Sequence, residues 1–169
     1  MLEEMPYQVR GAWRVLIALG AAAAVVGCCI GPVPRAEAPV PAGFVAQAPT
    51  DGVSVMQWGF DEQNATLSIQ GAIDSGAPAV VIPYVGKTYY VDPITLAGNQ
   101  TLFLEAGVVV AARKDSFRAT GACLFSAVNR SGITLLGYGA TVEMRKRDYQ
   151  RRPYERSEWR HAISLRGCS

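Results

Sequence analysis

The chain has little to offer transition-metal chemistry. It carries one histidine, His161, and four cysteines, Cys28, Cys29, Cys123 and Cys168, with no Cys-x-x-Cys spacing. Zinc sites draw on clusters of such ligands, so neither a metal nor another cofactor is expected. Charge is sparse as well. Only 18% of the 169 residues are charged and the net charge is +2, while 50% are hydrophobic. That balance excludes a highly charged disordered chain and names no partner. Also missing is any long helical pattern beyond Gly76, which disfavours the alternating strands and helices of a doubly wound sheet. The length suits one domain with a real core.

What is present begins with an export signal. Arg10 and Arg14 precede an uncharged stretch of sixteen residues, Val15 to Ile30. A membrane span needs about 20 apolar residues, so this run fits a signal core better. Val25-Val26-Gly27-Cys28 has lipobox form, with Cys28 as the lipid-attachment residue. Ala36-Glu37-Ala38 offers A-x-A cleavage, although Pro39 follows it. An uncleaved anchor is the third option. The expected location is therefore secreted or in the bacterial cell envelope, with membrane contact only through the signal or lipid. Residues 1–38 read as the signal, 39–51 as a Pro/Ala-rich linker and 52–169 as the folded domain.

Within that domain, Asn64 to Gly76 predicts one short helix. Ala65, Ile69, Ala72 and Ile73 share a face, Asn64 suits the N-cap and Gly76 the C′ position. The remainder predicts short strands bounded by Gly, Pro, Asn or Asp. These are Ala79 to Ile82, Thr88 to Val91, Ile94 to Leu96, Thr101 to Glu105, Val108 to Ala111, Leu124 to Ala127, Ile133 to Leu136, Thr141 to Met144 and Ala162 to Leu165. A weak repeat runs through them: residues 99–111 resemble 130–144. Thr101 and Ile133 lie 32 apart, and Phe125 and Ile163 lie 38 apart. Spacings of this size mark solenoids, whose stacked coils form continuous core ladders. Cys123 and Cys168 either pair in an oxidising compartment or serve as small buried residues.

The stretch from Ala65 to Ala112 resembles the N-terminal region of right-handed parallel β-helix proteins in the pectate-lyase-like superfamily. Ile69, Gln70, Ala72, Ile73 and Asp74 match the capping helix. Ile82, Pro83, Gly86, Tyr89, Ile94, Leu96, Leu102, Leu104, Glu105, Gly107 and Val109 match the first coils. The approach to the helix departs from the usual pattern, with Asp51-Gly52-Val53 followed by Phe60-Asp61-Glu62-Gln63-Asn64-Ala65-Thr66. The resemblance implies an all-β parallel β-helix with one capping α-helix, truncated at its C-terminus. An end of that kind needs further coils or a capping partner.

The resemblance further implies the N-terminal part of an exported polysaccharide-active protein, a lyase or glycoside hydrolase, with its catalytic residues beyond this chain. The alternative is a non-catalytic surface module that binds glycan or serves a structural role. The segment from Glu143 to Arg166 carries +4 against +2 for the whole chain. Arg145, Arg151, Arg152, Tyr149, Tyr154, Trp159, Arg160 and His161 are its candidate glycan-binding residues. Arginine forks match uronate carboxylates, and aromatic faces suit the apolar faces of sugar rings. Arg160, His161, Tyr149 and Tyr154 are also chemically able to move a proton or stabilise an enolate. The competing reading is a solvated loop of weak surface pairs. The expected partner is a polysaccharide, acidic if the arginines are engaged. Export argues against nucleic acid. Of the acids Asp92, Glu105, Asp115, Asp148, Glu155 and Glu158, no spacing singles out a pair for hydrolysis. Glu105, at a turn, has a structural role in prospect.

Overall fold

The computed structural model describes residues 47–155 and 159–169. The expected signal, Cys28 and most of the expected linker lie outside the described residues, as do Arg156, Ser157 and Glu158.

The described part is mostly β, with ten strands and one α-helix. The strands are β1 (Gly52–Ser54), β2 (Ala79–Ile82), β3 (Thr88–Val91), β4 (Ile94–Thr95), β5 (Gln100–Leu104), β6 (Val109–Ala112), β7 (Phe125–Val128), β8 (Ile133–Leu136), β9 (Thr141–Glu143) and β10 (Ile163–Arg166); α1 spans Thr66–Asp74. They form three sheets, ordered β1-β2-β5-β8, β3-β6-β9 and β4-β7-β10. Every pairing is parallel. The chain visits the three sheets in turn, once through β2, β3 and β4, again through β5, β6 and β7, and a third time through β8, β9 and β10. No sheet closes on itself. This arrangement is compatible with a parallel β-helix.

The register makes the core. Val80, Leu102 and Leu135 align in the first sheet, Tyr89, Val110 and Val142 in the second, and Ile94, Phe125 and Ile163 in the third. The members from the first two visits are buried and join one apolar cluster with Ile69 and Ile73 of α1. The expected alignment of Phe125 with Ile163 is found. Ile133, however, pairs with Gln100 rather than Thr101. The reason is the two-residue period of a strand: with Ile133 opposite Thr101, Leu102 would align with Thr134 and the inward ladder would break.

The helix begins one residue later than expected, with Ala65 rather than Asn64 at the N-cap. Asn64 still acts at its start, because its Oδ1 accepts hydrogen bonds from the Thr66 amide and hydroxyl. Gly76 has φ +74° just past the end, a left-handed backbone that glycine adopts without penalty. Ile69, Ala72 and Ile73 are buried, as their spacing predicts.

Polar groups of α1 also satisfy free strand edges. Gln70 accepts from the Thr95 amide at 3.0 Å and donates to the Thr95 carbonyl at 3.1 Å. Thr66 Oγ1 accepts from the Asp92 amide, and the Ala65 amide donates to the Tyr90 carbonyl. Gln100, itself buried, donates from Nε2 to the carbonyls of Ile73 and Ala77. Replacing Gln70 with Leu removes both bonds to β4 and leaves its edge unpaired. The expected loss is about 1–3 kcal/mol, measurable as a lower urea midpoint with an unchanged slope.

At the other side, Leu136, Ile163 and Leu165 of the third visit are each more than 40% exposed. Cys123 and Cys168 are free thiols. They flank opposite ends of the paired strands β7 and β10. A four-residue strand separates its ends by roughly 13 Å, well past the ~7 Å limit for a disulfide.

Candidate functional site

Two long connections leave the sheets at the same corner. Residues 113–124 join β6 to β7, and residues 144–162 join β9 to β10. In the first visit that corner is crossed by Asp92-Pro93 alone. Because β6 pairs with β9 and β7 with β10, the two insertions start and finish beside one another.

Arg160 ties them together. Its Nε donates to the Phe117 carbonyl at 2.7 Å and its Nη2 to the Arg118 carbonyl at 2.6 Å. The guanidinium carbon lies 5.1 Å from the Tyr149 ring centre and 5.8 Å from that of Tyr154. Those two rings meet edge to face at 5.1 Å. The Tyr154 hydroxyl accepts from the Asp115 amide at 2.7 Å. Cation–π contact and charge-assisted bonds are both stronger away from water, and Arg160 is only 9% exposed. Among the described residues, its Nη1 and the Tyr149 hydroxyl are buried without a hydrogen-bond partner. Burial raises the Tyr149 phenol above its ordinary range, so it stays neutral at physiological pH.

The base of the first insertion is fixed separately. Arg113 grips Asp92 through Nε at 2.8 Å and Nη2 at 2.9 Å, a bidentate geometry. Burial works to raise the Asp92 carboxyl. Hydrogen bonds from Ser116, Arg113 and Asn64 together with the Arg113 charge outweigh it, and the carboxyl titrates below its ordinary value.

The sequence candidates thus separate into two groups. Tyr149, Tyr154 and Arg160 form the buried post between the insertions. Arg151, Arg152, Trp159 and His161 are exposed, with Trp159 edge-on to His161 at 6.4 Å. Arg145 is half-buried and bonds Asp148 at 2.5 Å; that hydrogen bond raises the Arg145 pKa. The acids are engaged structurally in the same manner. Asp92 holds Arg113, Asp148 holds Arg145, and Glu105 accepts from the Tyr84 amide at 2.8 Å. Glu155 and Asp115 are exposed, and Glu158 lies outside the described residues.

Sequence reasoning passed over Lys114 and Arg118. Both line a crevice of about 370 Å³ together with Arg151, Arg152 and Tyr154. A second crevice, about 730 Å³, runs along Tyr149 to Glu155 and shares Arg151, Arg152, Pro153 and Tyr154 with the first. The signal for the missed residues was the length of the gap between β6 and β7, too long for a simple turn.

No protein-family model matches the chain, and no curated protein matches it. A crystal structure of a candidate glycosyl hydrolase from Parabacteroides merdae is similar in fold. The likeness covers 69% of this chain and 59% of that one, with TM-score 0.51 and 20% sequence identity. The chain thus spans less than two thirds of that protein's length, and the similarity is one of fold.

Proposed function

We propose that this chain forms part of an exported right-handed parallel β-helix protein of the pectate-lyase-like superfamily. In this reading it engages polysaccharide, in lyase or glycoside hydrolase chemistry. The carrying observation is the corner where both insertions emerge, with Lys114, Arg118, Arg151 and Arg152 lining one crevice beside Tyr154. The fold likeness to a candidate glycosyl hydrolase supports a carbohydrate ligand. Stacked parallel strands support it physically, because insertions at one corner of adjacent visits line up along a groove.

A second reading, a glycan-binding or structural module without catalysis, is favoured by one specific observation. Asp92, Glu105 and Asp148 are all held by hydrogen bonds within the fold, which commits three of the candidate acids to structural work and leaves Asp115 and Glu155 as the exposed ones among them.

One experiment separates the two. The chain is run through native gels containing polygalacturonate, alginate or dextran, and the same polymers are assayed for new reducing ends and unsaturated products. Retention by the acidic polymers with bond cleavage is the enzyme outcome. Retention without cleavage supports the binding module. Migration unaffected by any polymer sinks the glycan reading and makes the insertion a solvated loop.

A further inference from the structure

We propose that the crevice between the two insertions is a seat for an anionic sugar substituent, a carboxylate or a sulfate. The inference deepens the glycan reading and rests on it. Lys114 and Arg118 come from the first insertion, Arg151 and Arg152 from the second, and all four line one crevice of about 370 Å³. Two acids line it as well. Asp148 is already bonded to Arg145 at 2.5 Å, so among the described residues Asp115 is the remaining carboxylate against four cations.

The ground beneath the crevice is positive too. Arg160 sits behind Tyr154, nine-tenths buried. Among the described residues its partners are two carbonyls and two rings, none of them anionic. A buried guanidinium with no counter-charge among the described residues is uncommon, since buried charges are normally paired. Its field is added to that of the four exposed cations along the crevice, which concentrates anions. Tyr154 connects the two layers, because it lines the crevice and also stacks on Arg160.

Single exposed ion pairs contribute little. Convergence changes that balance: two arginine forks with adjacent basic groups can meet both oxygens of one carboxylate. The adjoining crevice of about 730 Å³ begins at the same residues, within the roughly 300–1,000 Å³ typical of small-ligand sites. A sugar ring can occupy it while its anionic group reaches Arg151 and Arg152.

The test uses trigalacturonate, a sulfated trisaccharide, a neutral trisaccharide and inorganic sulfate, each titrated into the chain by calorimetry. The variants are Arg151→Gln/Arg152→Gln and Lys114→Gln/Arg118→Gln, whose side chains are exposed and whose loss spares the Arg160 post. Each double variant should bind the preferred charged trisaccharide about tenfold more weakly or worse. Inorganic sulfate should weaken in parallel, and the neutral trisaccharide should be unaffected. Preference for trigalacturonate assigns the carboxylate, and preference for the sulfated sugar assigns the sulfate. Charged-sugar affinity unchanged in both double variants overturns the seat and leaves the glycan reading standing. A chain that binds inorganic sulfate through these residues but no trisaccharide overturns the glycan reading, and with it the sugar as the source of the anion.

Discussion

Tyr89→Ala should destabilise the fold by about 3–5 kcal/mol, the range for removing a buried aromatic side chain. Tyr89 lies in β3 with no exposed surface. It aligns with Val110 of the next visit and meets Phe60 edge to face at 5.0 Å. Its hydroxyl donates to the Pro83 carbonyl at 2.6 Å. The alanine variant therefore opens a void at the point where β3, the turn before it and the approach to α1 converge. Tyr89→Phe separates the contributions. It keeps the ring and removes only the hydrogen bond, for an expected loss of about 1 kcal/mol. Urea unfolding followed by circular dichroism reads both. Equal losses for the two variants would show that the hydrogen bond, not the ring packing, holds this corner.

The same residue sets a pH dependence. Burial, with a smaller contribution from the Glu105 charge, pushes the Tyr89 phenol up to about 12. The folded state thus holds this proton more tightly than the unfolded chain, whose tyrosine titrates near 10. Stability from this group is complete below pH 10 and is lost as pH rises towards 12. Tyr89→Phe should remove that alkaline component of the unfolding curve and leave acid unfolding as it was.

Arg160→Met should release both insertions while leaving the sheets folded. Methionine is comparable in length but has no donors, so the Phe117 and Arg118 carbonyls lose their partners and the Tyr149–Tyr154 pair loses its cation. Two charge-assisted bonds of this kind make the expected local loss about 2–4 kcal/mol. Hydrogen exchange is the appropriate readout, because segments outside the main core open independently of global unfolding. Faster exchange is expected at Asp115, whose amide bonds the Tyr154 hydroxyl, and at Tyr154, whose amide bonds the Arg151 carbonyl. Val80 and Val110 should exchange as before. Arg160→Lys keeps the charge but cannot span two carbonyls with a rigid fork, so it should not restore protection. Insertions as protected in the methionine variant as in the parent chain would show that the post does not hold them.

The helical face of Ala65, Ile69, Ala72 and Ile73 was legible because a helix repeats every 3.6 residues and burial follows that period. Ala79–Ile82, Thr88–Val91 and Ile133–Leu136 were legible as strands because aliphatic runs end sharply at Gly, Pro, Asn or Asp. The alignment of Phe125 with Ile163 could be read from spacing, and the one-residue offset at Ile133 could not, since it depends on which face of β5 is buried. The three-residue strand Gly52–Ser54 left too short a pattern to see. Gln70 and Gln100 were polar letters in a strand-and-helix pattern. Their tasks, closing the edge of β4 and the end of α1, exist only once residues 25 and 27 positions apart are neighbours.

For the candidate site, the sequence by itself determined a run dense in arginine and aromatic residues, set between two strands of a parallel repeat. The tertiary structure decided which of those residues face solvent and which are buried. Arg151, Arg152 and Arg160 are the same letter within ten positions, yet two face water and one is buried on carbonyls more than forty residues upstream. Lys114 and Arg118 joined them because parallel register carries adjacent connections to one corner. Local composition fixes what a side chain can do; partners brought in from distant sequence fix whether it is free to do it.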